Sequence, residues 1–322
     1  MKALFFVILI ALCGAKVCQA EVPPQYVTQW GEYGVGSGQF FEPWEIAVTG
    51  AGDVYVPDIH NSRIQKFTST GTYLTQWGSF GSGNGQFFSP SAVTTDVDGY
   101  VYVVDSGNYR IQKFISGGVY VSQWGTYGTG NGQFIGEVGI AADNFGNIYV
   151  VEYYNNRVQK FSNTGIYITQ WGSAGTGDGE FGNPTGIATD NAGNVYVSDT
   201  GNNRIQKFSS AGTYIAQWGS QGSAPGQFWY PYTVAVDVFG NVYVADTENS
   251  RIQKFTSAGT YLTQWGSSGA GNGEFLGCRG VATDNAGNVY VSDTGNNRIQ
   301  KFGYLPTPVK MTTWSAIKLQ YR

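Results

Sequence analysis

The feature that most constrains this chain is an interval of 47 residues that recurs six times with no insertion or deletion. Each copy repeats an arginine, an acidic residue five positions before it, and a tryptophan. The arginines are Arg63, Arg110, Arg157, Arg204, Arg251 and Arg298; the acidic residues are Asp58, Asp105, Glu152, Asp199, Asp246 and Asp293; the tryptophans are Trp30, Trp77, Trp124, Trp171, Trp218 and Trp265. A period of this length indicates an array of identical supersecondary units.

One copy, residues 186–218, divides into four short strands. Apolar, β-branched and aromatic residues fill 186–189, 195–198, 204–208 and 214–218, with Gly, Asn and Asp between them. Runs of about five such residues between turn residues predict antiparallel hairpins. Four antiparallel strands in a repeat of this size are typical of a propeller blade. We therefore predict an all-β fold, a six-bladed β-propeller of four-stranded antiparallel blades.

The strand count also predicts how the ring closes. One strand, 26–30, precedes the first complete copy and matches the fourth strand of a copy, whereas the last copy has only three strands, within 281–302. The first strand, five sets of four strands and the final three strands make 24 strands, which is the number in six complete blades. We expect 26–30 to pair with 298–302, because this pairing removes two open sheet edges.

The sequence at 194–208 resembles a known repeat. It reads Asn-Val-Tyr-Val-Ser-Asp-Thr-Gly-Asn-Asn-Arg-Ile-Gln-Lys-Phe, which is similar to the NHL repeat signature G-N-x-Y-V-x-D-x-x-N-x-R-I-x-x-F. All six copies, across 26–302, fit this pattern; the third departs mildly with Glu152 and Val158, and the first with Asp53. The resemblance implies a six-bladed propeller whose ring is closed by its N-terminal strand.

The chain divides into a predicted signal peptide at 1–20, the propeller at 21–302, and a tail or linker at 303–322. The first segment has a basic start, a short apolar run, and small residues Cys18 and Ala20 before the expected cleavage site. Its apolar run is shorter than the roughly 20 residues that span a bilayer. We expect a protein that is secreted or at the cell surface, periplasmic in a diderm bacterium, and not inserted in the membrane after cleavage.

Residues shared by all six copies are expected to hold the blades together. A guanidinium can bind a carboxylate through two hydrogen bonds, so we interpret the six acid–arginine pairs as structural. Some NHL propellers bind RNA, but that function needs a surplus of basic residues on one face. Twelve of the sixteen basic residues after position 20 are the repeated arginines and the lysines three positions later. We therefore expect no nucleic-acid partner.

Catalytic residue types are scarce. The resemblance implies one enzymatic branch, the peptide-amidating lyases, which hold zinc with several histidines, whereas this chain has a single histidine, His60. Cys278, the one thiol after residue 20, lies more than two hundred positions away from it. We predict no enzymatic activity, no metal and no cofactor. The alternatives are a lyase- or hydrolase-type enzyme with a site at the central channel, and an RNA-binding propeller.

Positions that differ between copies are free to form one site. The loop leading into each blade and the turn between its second and third strands open on the same face, and copies 5, 6 and 1 are consecutive in a closed ring. Large aromatic residues and arginine dominate recognition surfaces. The candidate ligand-binding residues are Trp229, Tyr230, Tyr232, Arg279, Trp44, Glu45, His60, Tyr153 and Tyr154.

Two interpretations of these variable residues stay open. Trp229 and Trp44 fit packing between blades as well as they fit ligand contact. The function that we favour is an exported, non-catalytic binding module of NHL type. It is a monomer that presents this loop face to a protein or glycan ligand.

Overall fold

The computed structural model describes residues 21–304, apart from the side chains of residues 137–138. Six four-stranded antiparallel sheets are present, and the innermost strands contact one another in a closed circle around a central channel. The prediction of an all-β six-bladed β-propeller is confirmed. The predicted signal peptide, and the predicted tail from residue 305 onward, lie outside the described residues.

Each blade runs from the channel outward, and its strands are named inner, second, third and outer. The inner strands are Ala47–Val48, Pro90–Thr95, Glu137–Ala142, Ile187–Thr189, Pro231–Val236 and Cys278–Thr283. The second strands are Val54–Asp58, Val101–Asp105, Asn147–Glu152, Val195–Asp199, Val242–Asp246 and Val289–Asp293. The third strands are Arg63–Phe67, Arg110–Phe114, Arg157–Ser162, Arg204–Phe208, Arg251–Phe255 and Arg298–Gly303. The outer strands of blades 1 to 5 are Tyr73–Trp77, Tyr120–Trp124, Tyr167–Trp171, Tyr214–Trp218 and Tyr261–Trp265, and that of blade 6 is Gln25–Trp30.

Burial explains the composition of the strands. Second strands such as Val195–Asp199 are buried at every residue, because neighbouring blades cover both of their faces. Outer strands such as Tyr214–Trp218 alternate between half-buried and exposed residues, because one face meets solvent. Strands covered on both faces read as continuous apolar runs, and strands covered on one face alternate.

The ring closes as the strand count predicted. Tyr26 pairs with Phe302 and Trp30 with Ile299, in antiparallel register with one bulge. The Trp30 ring also packs against Tyr290 of the same blade and Phe67 of blade 1, with ring centroids 6.3 and 5.9 Å apart. The N-terminal strand thus completes blade 6 and joins it to blade 1.

The hydrophobic core is divided into six clusters, and each lies between two adjacent blades. The cluster at the closure combines Phe40, Ile46 and Val54 of blade 1 with Tyr290 and Ile299 of blade 6. Each blade is therefore stabilised mainly by its neighbours, so the closed ring is the unit that folds.

A short turn joins the second and third strands on the face where the loops lead into the blades. In five blades this turn is a 3₁₀ helix followed by a residue in the left-handed conformation, for example Ser62 at φ 52°. The 3₁₀ helices are Ile59–Asn61, Ser106–Asn108, Thr200–Asn202, Thr247–Asn249 and Thr294–Asn296. Two-residue strands Thr126–Tyr127 and Gln133–Phe134 fold the loop before blade 3. Among residues 21–304, no helix is long and apolar enough to cross a membrane.

Candidate functional site

The repeated arginine connects its own blade to the loop that leads into that blade. Arg204 Nε donates to Asp199 Oδ2 at 2.6 Å, and its Nη atoms donate to the carbonyl oxygens of Thr176, Gly177 and Glu180 at 2.7 to 2.9 Å. Both partners of the ion pair are buried. The corresponding ion pairs of the other blades are Arg63–Asp58, Arg110–Asp105, Arg157–Glu152, Arg251–Asp246 and Arg298–Asp293.

The repeated lysine connects adjacent blades at the opposite end of the ring. Lys113 Nζ donates to the carbonyl oxygen of Asn163 in the next blade at 3.0 Å and lies over the rings of Tyr100 and Tyr102. Burial lowers the pKa of Lys113. Lys160 and Lys301 make the same type of bond to the following blade. These basic residues are therefore engaged within the scaffold.

A β-bulge marks the start of the inner strand in blades 2, 3, 5 and 6. In blade 6 the register shifts between Cys278 and Gly280, so Arg279 has no cross-strand partner. The same shift occurs in blades 2, 3 and 5. A bulge residue leaves the ladder and its side chain points in a new direction. The residues at this repeat position, in blade order, are Trp44, Ser91, Val138, Thr185, Tyr232 and Arg279.

Three of these residues, from the consecutive blades 5, 6 and 1, contact one another. The rings of Trp44 and Tyr232 meet edge to face, with centroids 5.7 Å apart. The Arg279 guanidinium lies 4.8 Å from the Trp44 ring and 5.5 Å from the Tyr232 ring. Cation–π contacts of this kind hold the guanidinium over the two rings.

Beside this trio lies a largely apolar depression of about 480 Å³ at the channel mouth. Trp44 and Tyr232 line one side, and Tyr153 and Tyr154 of blade 3 line another, with their own rings 5.0 Å apart. Burial raises the pKa of Tyr153, and Tyr230 and Tyr154 add to this rise, which places Tyr230 within electrostatic reach of the depression.

Glu45 follows Trp44 in the chain but is not among the residues that line the depression. It lines the upper channel, is only 7% exposed, and its Oε2 atom has no hydrogen-bond partner among the described residues. Burial raises its pKa well above the usual value. A Cβ atom placed on Gly139 of blade 3 would lie 3.2 Å from Glu45 Oε2. The side chain therefore extends from blade 1 across the channel to blade 3.

His60 stands at the rim of the same depression. Its Nε2 lies 3.3 Å from Glu42 Oε2, both side chains are about half exposed, and Phe41 packs on the imidazole with ring centroids 4.5 Å apart. Within residues 21–304 no three His, Cys, Asp or Glu side chains are grouped so that they could hold a metal ion. Cys278 is fully buried, and burial raises the pKa of its thiol.

Of the three blade 5 candidates, Tyr232 lines the depression and Tyr230 does not. Trp229 is likewise not among the lining residues. It is about half exposed, and it occupies the repeat position of Phe41, Phe88 and Leu276. Five of the six copies carry a large apolar residue there, so a comparison of blade 5 with blade 4 alone made Trp229 look exceptional.

Six residues that line the depression were not among the candidates from sequence: Glu42, Ile59, Ser89, Ser91, Ser106 and Gly136. Ser91 and Ser106 lie 2.7 Å apart through their hydroxyl oxygens. Ser91 shares the repeat position of Trp44, and Ile59 and Ser106 share that of Tyr153. An alignment of the six copies at these two positions was the available signal.

Comparison with known proteins agrees with this architecture. Residues 181–208, 228–255 and 275–302, in blades 4 to 6, match the NHL repeat family. The chain is a six-bladed β-propeller built from NHL repeats. One curated relative is the B-box type zinc finger protein ncl-1 of Caenorhabditis elegans, 50% identical over 46 residues. That match covers 14% of this chain and 5% of the relative.

Solved structures of low sequence identity share the fold. A protein of unknown function from Bacteroides thetaiotaomicron has a TM-score of 0.68 at 18% identity, over 86% of this chain and 76% of its own. An auxiliary nutrient binding protein from Bacteroides ovatus has a TM-score of 0.63 at 16% identity, over 87% and 77%. A virginiamycin B lyase from Staphylococcus aureus has a TM-score of 0.60 at 14% identity, over 86% and 99%.

Proposed function

We propose that this chain is a non-catalytic binding module that holds part of a protein or glycan ligand in the aromatic depression at the channel mouth. One observation carries the proposal. At the same repeat position, three consecutive blades have Trp44, Tyr232 and Arg279 in mutual contact. Blades 2 and 4 have the small residues Ser91 and Thr185 there. Because the scaffold folds with a small residue at this position, the large residues serve something other than the blade.

The size and chemistry of the depression support this function. A volume of about 480 Å³ lies within the ~300–1,000 Å³ of typical ligand pockets. Its tyrosines and tryptophan offer large apolar faces with polar edges at small entropy cost, and arginine is likewise enriched in recognition sites. The fold similarity to an auxiliary nutrient binding protein is compatible with a binding role.

The proposed location follows from the first residues. The predicted signal at 1–20 favours a protein that is secreted or at the cell surface, and acts there as a monomer. A purified chain from an exporting host tests this by N-terminal sequencing and by light scattering. We expect an N-terminus at Glu21 and the mass of one chain.

The non-catalytic part of the proposal rests on the residue types at the mouth. The lyase relative shares the fold, but here the single histidine, His60, is half exposed and close to one carboxylate, Glu42. An enzyme at the channel would need an acid or base in contact with its substrate. Turnover of esters, lactones or streptogramins that is abolished by His60→Asn would overturn this part.

The binding site itself is tested by giving blade 5 the residues of blade 4. The double variant Tyr230→Asn/Tyr232→Thr introduces the residues found at 183 and 185. Glycan and peptide arrays identify ligands of the purified wild-type chain, and we expect the double variant to lose them with little change in thermal unfolding.

The matched control is Trp229→Leu, which gives blade 5 the residue at 276 and leaves the depression unchanged. It should retain array binding. If the double variant retains binding but unfolds at a much lower temperature, the two tyrosines pack the blade and the ligand binds elsewhere.

A further inference from the structure

The carboxyl group of Glu45 is an exception within the repeat. The residues that correspond to it in blades 2 to 6 are Ala92, Gly139, Gly186, Thr233 and Gly280. None of these carries a charge. Burying a carboxyl group without a partner is costly, and a scaffold that folds with Ala or Gly at this position has no need of it. We therefore ask which group would bind to Glu45.

No basic side chain among residues 21–304 forms an ion pair with Glu45. Burial is the cause of its raised pKa, and no basic side chain offsets it. The charged and titratable groups that face the same space are Tyr232, Arg279 and Tyr153. Burial raises the pKa of Tyr232, Arg279 opposes this rise, and Glu45 and Tyr153 add to it. The Arg279 guanidinium lies over Trp44 and Tyr232, not against the carboxyl group.

Aromatic side chains lie close to Glu45 on the side of the channel mouth. Trp44 precedes Glu45 in the chain, and Tyr232, which lies within electrostatic reach of Glu45, lines the depression together with Trp44 and Tyr153, whereas Glu45 itself lines the channel. A lysine side chain fits these surroundings, because its aliphatic stem can pack against aromatic rings while its terminal ammonium group binds the carboxyl group. The aromatic faces also attract a cation.

We infer that Glu45 receives the ammonium group of a lysine side chain that a protein partner inserts through the aromatic depression. This inference rests on the proposed binding function and selects a protein over a glycan as its ligand. In the complex, the Glu45 carboxylate accepts hydrogen bonds from the ammonium group.

Calorimetry with three small probes tests the inference on the full purified chain. The probes are Nα-acetyl-lysine methylamide, the norleucine analogue that lacks the amine, and glucosamine. A charged hydrogen bond contributes about 1.5–3 kcal/mol, or roughly 10- to 100-fold in affinity. We expect the lysine probe to bind tighter than the norleucine probe by that factor, and glucosamine to bind weakest.

Two variants assign the preference to Glu45. Glu45→Gln keeps the size of the side chain and should remove the preference for lysine while norleucine binding persists. Glu248→Gln removes an exposed carboxylate on the same face outside the depression. This variant should retain the preference for the lysine probe. Glu45→Ala, the blade 2 residue, repeats the test if the Gln variant unfolds at a lower temperature.

Proton release provides an independent readout. Titrations of the lysine probe in buffers of different ionisation enthalpy should show proton release that decreases as the pH rises, because burial raises the pKa of Glu45 and the bound amine favours the ionised carboxylate. Glu248→Gln, outside the depression, should leave this release unchanged.

Equal affinity for the lysine and norleucine probes overturns the inference, as does a lysine preference that survives Glu45→Gln. Tighter binding of glucosamine than of lysine overturns the choice of a protein ligand. These failures are separable from failure of the binding function. If the lysine probe does not bind but the Tyr230→Asn/Tyr232→Thr variant loses its array ligands, the inference about lysine fails and the proposed binding site is still supported.

Discussion

Replacement of Arg204 by alanine tests whether the repeated arginine belongs to the scaffold. The substitution removes the Nε bond to Asp199 at 2.6 Å, the Nη1 bond to Gln217 at 2.6 Å, and the bonds to three carbonyl oxygens of the loop before the blade. The Asp199 carboxylate is fully buried. It would keep donors from Gly182, Asn202 and Gln206 but lose its cation.

The expected cost follows from that burial. Removal of one partner from a buried ion pair costs on the order of 3–5 kcal/mol. An ion pair closer to solvent serves as the control: Lys66 Nζ lies 2.8 Å from Asp53, whose side chain is 36% exposed. The Lys66 side chain is 14% exposed, so breaking this pair should cost somewhat more than the about 0–1 kcal/mol of a fully exposed pair. Lys66→Ala should therefore destabilise the chain far less than Arg204→Ala.

Urea unfolding of the wild type and both variants, followed by tryptophan fluorescence, measures these free energies. The arrays of the binding experiment are repeated on Arg204→Ala below its transition. We expect binding to persist, because Arg204 lies outside the depression. A loss below about 1 kcal/mol, or loss of binding with unchanged stability, would refute the assignment of this arginine to the scaffold.

Three further outcomes are expected. Deletion of residues 21–30 should strongly lower the melting temperature, because it leaves the edge of Arg298–Gly303 unpaired; an unchanged melt would contradict ring closure by this strand. The raised folded-state pKa of Glu45 means that its contribution to stability is greatest below about pH 4.5 and is lost as the pH rises toward the folded-state pKa. Glu45→Gln should thus gain stability over the wild type above that pH, by up to about 1.4 kcal/mol per pH unit, in urea melts across pH. The Cys278 thiol should react with a thiol reagent only in denaturant, because it is fully buried and burial raises its pKa; rapid reaction of the native chain would contradict this.

The fold was predictable because the repeat length, the strand pattern and the strand count all indicate the same architecture. The six copies of the 47-residue unit indicate six blades. The four short runs in each copy indicate four strands, and the incomplete last copy indicates how the ring closes. Apolar residues such as those of Val195–Asp199 are continuous because two blades cover them. Local pattern and global architecture therefore agree, which is the condition for reading a fold from sequence.

The site was only partly predictable. Large residues at Trp44, Tyr232 and Arg279 were visible as departures from the other copies, but their mutual contact brings together blades 5, 6 and 1 and could not be read from any one copy. Trp229 and Tyr230 are near Tyr232 in sequence, yet neither lines the depression, because both precede the inner strand Pro231–Val236. Sequence proximity was therefore a poor guide to which side chains meet.

The burial of Glu45 was the property hardest to predict from the sequence, because it depends on the space that the other blades leave in the channel. A Cβ atom on Gly139 would lie 2.5 Å from the Thr185 carbonyl oxygen, one on Gly186 2.6 Å from that of Tyr232, and one on Gly280 2.5 Å from that of Trp44. Three of the six inner strands therefore have no space for any side chain at this level of the channel. The backbones that exclude side chains there also enclose the carboxyl group of blade 1. The glycines of three blades thus leave room for the carboxyl group of one blade, and the binding site that we propose is formed once although the ring has six blades.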